Sequence, residues 1–173
     1  MPQAGGTIAQ SLLMEIDQEA ANTRKALERL PDDKFSYKPH PKSGTMGWLA
    51  GHIGQMLEWG AMTMQTDSFD VNPPGGSDYK PANPANREEL LKDFDRYRAA
   101  FRAAIAAGSD ADFMKPWSLL SGGNVVFTMP RVAVIRGMIL NHIVHHRGQL
   151  TVYMRMNDIP VPSIYGPSAD EKP

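Results

Sequence analysis

Apolar residues recur at three- or four-residue spacing in four long segments of this 173-residue chain, and this periodicity limits the fold more than any other feature. Such spacing places apolar side chains along one side of an α-helix. Helices are expected over about residues 7–30, 45–65, 86–108 and 130–157. Their apolar faces have to bury one another, which predicts an all-α protein built as a four-helix bundle.

The segments between these helices are rich in turn-forming residues. Residues 67–85 contain Pro, Gly, Asn and Asp, and predict a long irregular connection between helices two and three that could allow a crossover. Two short apolar runs flank Ser121 to Asn124 and indicate a small hairpin before helix four, although Pro116 weakens the first run as a strand. A proline-rich tail begins at about residue 158. We expect residues 1–173 to form a single domain.

Composition excludes several classes of function. The chain has no cysteine, so it offers no disulfide, zinc-thiolate site or cysteine nucleophile. Lys and Arg number 18 against 19 Asp and Glu, without a basic stripe, so nucleic acid is not an expected partner. Neither a signal-peptide pattern nor an apolar run of about 18 residues is present, so we expect a cytoplasmic protein without a membrane partner.

The segment NHIVHHRGQLTVY places three histidines within five residues of helix four. His142 and His146 are one turn apart and lie in the apolar, core-facing stripe. His145 competes with His146 for the second position, because residues three apart also share a face. His52 lies in the core-facing stripe of helix two. Buried imidazoles can be neutral and hydrogen-bonded for structural reasons, but one divalent metal ion would satisfy several of them together.

Two segments resemble a known family. The run NHIVHHRGQLTVYMRMNDIPVPSIYGPSADE resembles the C-terminal signature of the DinB-like (DinB/YfiT) superfamily, and GTMGWLAGHIGQMLEW resembles its second helix. This superfamily contains metal-binding four-helix bundles, among them YfiT-like hydrolases and thiol-dependent transferases. The histidine before Arg-Gly-Gln is a ligand in the family, so the resemblance implies His52, His142 and His146 as metal ligands. It also implies a homodimer.

Three imidazoles would leave coordination positions open, as a catalytic site requires. They suit zinc, nickel, iron or copper, of which we expect zinc, nickel or iron. Glu-x-x-His pairs of di-iron bundles are absent, and Ile143 stands where a zincin has its glutamate. The motif faces also lack a carboxylate to serve as a base for hydrolysis.

These features, with the family resemblance, favour a metal-dependent transferase that joins a small thiol, such as glutathione, bacillithiol or mycothiol, to a small-molecule electrophile. The alternatives are a metal-dependent hydrolase and a non-catalytic, stress-linked metal-binding helical module.

Four further residues of helix four carry expectations. Gln149 and Tyr153 continue the side of His142 and His146, and could orient a ligand or the substrate or belong to the core. Arg147 is expected to anchor the acidic tail at Asp170 or Glu171, and Gly148 to permit close helix approach.

Overall fold

In the computed structural model, which describes residues 7–77 and 79–172, four long helical segments form a bundle, as the apolar periodicity predicts. The fourth segment is continuous but contains a π-helical stretch. The elements are α1 (Thr7–Leu27), α2 (Met46–Gln65), α3 (Arg87–Ala107), the short α4 (Asp110–Met114), α5 (Arg131–Val134), the π-helical stretch (Ile135–Leu140) and α6 (Asn141–Arg155).

Side-chain caps confirm the predicted starts of the second and third helices. The Thr45 hydroxyl accepts a hydrogen bond from the backbone N–H of Trp48 at 3.1 Å. Asn86 accepts one from the backbone N–H of Glu89 at 2.9 Å. Each cap satisfies a backbone donor that has no partner within the helix.

Helices that follow each other in sequence are not all neighbours in space. α1 packs against α3 and α6, and α2 packs against the same two helices, so α1 and α2 lie diagonally across the bundle. The long connection after α2 therefore joins two adjacent helices, α2 and α3, and contains no crossover. The crossing connections are instead residues 28–45 and 108–130.

The contact between α2 and α3 depends on glycines of α2. Gly54 faces Phe94, and Gly60 lies so close to Phe101 that a β-carbon there would overlap its ring. Both phenylalanines are buried. Small residues on α2 thus let two aromatic side chains of α3 reach its backbone.

A small sheet packs beside the bundle. β2 (Pro116–Ser121) and β3 (Asn124–Pro130) form the predicted antiparallel hairpin, and Pro116 is the first residue of its strand. Its turn is made by Gly122 and Gly123, both with positive φ. β1 (Ser68–Asp70) adds to β2 in parallel, which the sequence did not indicate. The short α4 was also not predicted.

The tail after residue 158 has no helix, as its prolines predict, and folds back on the bundle. Asp170 pairs with Arg155, and Glu171 pairs with Arg29. The prediction that Arg147 anchors these acidic residues is wrong. Its guanidinium is 2% exposed because it points inward toward α1.

Arg147 pairs there with Glu19 at 2.7 Å and donates to Thr23 at 3.1 Å. Its contact with the tail is instead Tyr165, whose hydroxyl accepts a hydrogen bond from the guanidinium and donates to Glu19. No helix among the described residues has the length and apolar character needed to cross a bilayer.

Candidate metal centre

Three imidazoles meet where α2 packs against α6. Nε2 of His142 lies 3.3 Å from Nε2 of His52 and 2.7 Å from Nε2 of His146. All three side chains are partly buried, and each offers a ligand atom within 4.8 Å of the others. Helix packing thus brings His52 together with His142, which lies 90 residues later in the chain, and with His146. We refer to His52, His142 and His146 as the histidine cluster.

The other two histidines lie outside the cluster. His145 is exposed on α6, although its ring touches that of His146 with centroids 4.9 Å apart. His40 is exposed in the loop before α2, where its Nδ1 accepts a hydrogen bond from the backbone N–H of Lys42. The structure therefore places His146, and not His145, beside His142 and His52, a choice that helical spacing left open.

Groups behind two of the imidazoles influence their protonation. Nδ1 of His146 lies 2.7 Å from Oε1 of Gln149. The backbone carbonyl of Met138, in the π-helical stretch one turn earlier, raises the pKa of His142. Carbonyl oxygens only accept, so the His146 ring carries its proton on Nδ1, the nitrogen turned away from the cluster. Nε2 of His146 consequently presents its lone pair to the cluster.

This arrangement fits a divalent cation. Metal–nitrogen bonds of 2.0–2.1 Å at tetrahedral angles separate the ligand nitrogens by about 3.3 Å, which equals the distance between His52 and His142. Nε2 of His146 lies 2.7 Å from Nε2 of His142. A cation bound by the cluster would be coordinated by both nitrogens.

The electrostatic environment keeps the imidazoles neutral. Burial, reinforced by the neighbouring imidazoles, lowers the pKa of His52 to about 4. Burial also lowers the pKa values of His142 and His146, while the carbonyls of Met138 and Gln149 act in the opposite direction. Neutral rings are the form that can coordinate a metal.

Aromatic packing orients His52. The Trp48 ring stacks on the His52 ring, with centroids 5.1 Å apart and planes 6° from parallel. Gly44 makes room for this indole, because a β-carbon at residue 44 would overlap the Trp48 ring. The sequence offered one signal for the contact: Trp48 is four residues before His52 and therefore on the same side of α2.

The two side chains expected beside the ligands differ in position. Gln149 contacts His146 directly. Tyr153 makes no such contact, because its hydroxyl donates to the backbone carbonyl of Gly44 at 3.3 Å and its ring meets the edge of Tyr37. Met138 supports His142 through its backbone, which side-chain patterns do not reveal.

Relatives with solved structures share this architecture. A DinB-like protein of Bacillus cereus ATCC 10987 is 25% identical, with a TM-score of 0.64 over 91% of this chain and 95% of that one. YfiT of Bacillus subtilis is 12% identical, with a TM-score of 0.64 over 88% of this chain and 89% of its own. YfiT is described as a probable metal-dependent hydrolase with an unusual four-helix bundle topology.

Sequence comparison agrees with this structural likeness. YrdA of Bacillus subtilis strain 168 is 28% identical over 153 residues, which cover 88% of this chain and 85% of YrdA. The family model of the DinB superfamily matches residues 15–150, a range that includes all three histidines of the cluster. The chain belongs to the DinB superfamily.

Proposed function

We propose that this protein is a metal-dependent transferase that joins a small thiol to an electrophile, with His52, His142 and His146 holding one divalent ion. The observation that carries the proposal is the histidine cluster itself. Among the described residues it brings together three neutral imidazoles and no carboxylate. Three protein ligands leave a coordination position for a substrate.

The positions of the carboxylates favour thiol transfer over hydrolysis. Metal-assisted hydrolysis normally uses a side chain that accepts a proton from water. α6 contains no Asp or Glu, and Glu58, the one acid of α2, lines a separate cavity with Arg96 and Tyr97. A thiol needs less help, because a bound cation deprotonates a coordinated thiol outright.

The reaction would form a carbon–sulfur bond. The thiol proton passes to solvent, and the electrophile loses a leaving group or, where it is an activated double bond, takes up a proton. The chain has no cysteine, so the sulfur has to come from a low-molecular-weight thiol. Zinc, nickel and iron all suit three nitrogen ligands.

Metal content tests the ligand set. We expect about one metal ion per chain in the wild type and little in His52→Ala and His146→Ala. His145→Ala is the matched control, because this neighbouring histidine is exposed and should be dispensable. Elemental analysis of untagged protein gives the readout. Full metal content in His146→Ala would overturn the three-histidine site.

The same protein loaded with cobalt tests the reaction. Adding glutathione or another small thiol should change the visible spectrum of the wild type, and a later electrophile should yield a thioether detectable by mass spectrometry. Hydrolysis of ester or amide substrates without any thiol effect would instead favour a hydrolase, the activity in YfiT's description. If neither response occurs, the protein is a non-catalytic metal-binding helical module.

We also propose the homodimer that the family resemblance implies. Sedimentation velocity should give a particle of twice the 19.1 kDa chain mass. A monomer at micromolar concentration would contradict this assembly without affecting the metal site.

A further inference from the structure

A cleft of about 370 Å³ lies beside the histidine cluster, between α6 and the start of α2. Two of its walls touch the cluster: Trp48 stacks on His52, and Gln149 bonds His146. The volume is within the range of small-molecule sites. Its lining includes Ser43, Trp48, Leu49, Gln149, Val152 and Tyr153, which we call the Trp48 cleft.

The walls of the Trp48 cleft are mainly apolar and partly aromatic. Trp48 is 36% exposed and Val152 is 57% exposed, so both apolar side chains are accessible from solvent. The His52 ring stacks against the indole, and Gly44 lies close to its six-membered ring. A ring that is already oriented can stack on a planar ligand at little entropic cost.

Charge restricts the ligand further. The residues that line the cleft include no Asp, Glu, Lys, Arg or His. Burying an ion without a partner is costly, whereas a neutral acceptor needs only one donor. Gln149 offers such a donor, because its carbonyl oxygen serves His146 and its amide nitrogen bonds none of the described residues.

We infer that the Trp48 cleft binds the electrophile, and that this substrate is a neutral, planar conjugated or aromatic molecule with a polar acceptor such as a nitro or carbonyl oxygen. The inference rests on the proposed function for its chemistry. The small cellular thiols carry carboxylate and ammonium groups, which find no ionic partner in this lining. The cleft therefore suits the electrophile better than the thiol.

Binding can be measured without turnover. meta-Dinitrobenzene is a neutral probe without a leaving group suited to the reaction, meta-nitrobenzoate is its charged counterpart, and S-methylglutathione represents the thiol. Proton–nitrogen correlation spectra of the zinc-loaded wild type report the indole N–H of Trp48, identified by its loss in Trp48→Phe, and the side-chain amide of Gln149. The neutral arene should shift both signals, and the benzoate should bind at least about tenfold more weakly.

Variants locate the binding. Trp48→Ala should raise the Kd of the neutral arene about tenfold, as followed at Gln149. Val152→Asp should weaken binding to a similar extent by placing a carboxylate in the wall, and this exposed position tolerates the change. Met14→Ala, at a 72% exposed position on α1, is the control and should bind like the wild type.

Either of two results would overturn the inference. In the first, S-methylglutathione shifts the indole N–H signal of Trp48 and the neutral arene does not. In the second, the Kd of the neutral arene is unchanged in both Trp48→Ala and Val152→Asp. The arene-binding test and the tests of the proposed function can fail independently of each other. Arene binding needs no thiol transfer to be seen, and its failure would leave the metal content and the cobalt spectra unaffected.

Discussion

At the scale of single residues, the groups behind the histidines decide what the histidines can do. Gln149 holds a proton on the outer nitrogen of His146, and the Met138 carbonyl raises the pKa of His142. The inner nitrogen of His146 is thereby left as an acceptor. Such outer contacts orient the ligands and raise their basicity, and so tune metal affinity.

Replacing Gln149 by leucine should weaken metal binding by about 10- to 100-fold, because His146 loses the acceptor that fixes its tautomer. Competition with a chromophoric chelator measures the affinity. Gln149→Glu keeps an acceptor oxygen and should stay within a few-fold of the wild type. Since Gln149 is exposed, neither variant should lose helical content. Unchanged affinity in Gln149→Leu would show that His146 needs no such support.

A second residue-scale feature is the ion pair of Arg147 with Glu19, which is almost fully shielded from water. Arg147→Met leaves the Glu19 carboxylate without its partner and removes the link to Tyr165. We expect the free energy of unfolding to fall by about 3–5 kcal/mol. Urea denaturation followed by circular dichroism measures it.

Arg136→Met is the matched control, because Arg136 forms its pair with Glu15 on the surface at 51% exposure. Arg136→Met should lower the free energy of unfolding by only about 0–1 kcal/mol. Equal effects of the two substitutions would mean that burial adds nothing to the Arg147 pair.

At the scale of helices, two glycines that are equally poor helix formers have opposite surroundings. Gly60 faces the Phe101 ring at a distance too short for a β-carbon, whereas Gly148 on α6 has nothing within 4 Å of the place a β-carbon would take. The prediction that Gly148 permits close helix approach is therefore wrong. Its side of α6 faces solvent, so no neighbouring helix comes near.

Alanine at these two positions should shift stability in opposite directions. Gly60→Ala pushes Phe101 out of its position and should cost about 1–3 kcal/mol. Gly148→Ala replaces a poor helix former without a clash and should add about 0.5–1 kcal/mol. Thermal unfolding of both variants, with metal removed, tests the contrast. Destabilisation by Gly148→Ala would contradict the open surroundings seen in the structure.

At the scale of the whole molecule, the histidine cluster connects two helices that are distant in sequence. A metal ion held by His52 and the α6 histidines would cross-link α2 to α6. The ion would bind the folded chain and not the unfolded one, so it would stabilise the entire bundle.

Metal at about 100 times its Kd should raise the free energy of unfolding by about 2.7 kcal/mol. For a chain of this size that corresponds to an increase in Tm of about 5–10 °C. Differential scanning calorimetry with and without zinc checks the expectation. His52→Ala should show no increase, while His145→Ala should behave as the wild type. A metal-dependent rise in His52→Ala would point to ligands outside the cluster.

Local patterns were sufficient for the four long helical segments. Apolar spacing and caps such as Thr45 and Asn86 act over a few residues, because helical hydrogen bonds and amphipathic faces are defined within one or two turns. The same local geometry placed His142 and His146 on one side of a helix. The apolar stripe placed His52 on the core-facing side of helix two, and the family resemblance implied it as their partner.

Packing between distant segments decided the rest. The diagonal placement of α1 and α2, the pairing of β1 with β2, and the inward turn of Arg147 depend on which surfaces bury each other. Helical spacing left His145 and His146 both open beside His142, the family resemblance implied His146, and the tertiary structure places His146 in the cluster. His52 faces only one of them across the contact of α2 with α6, because burial there selects the side chain that points into the bundle.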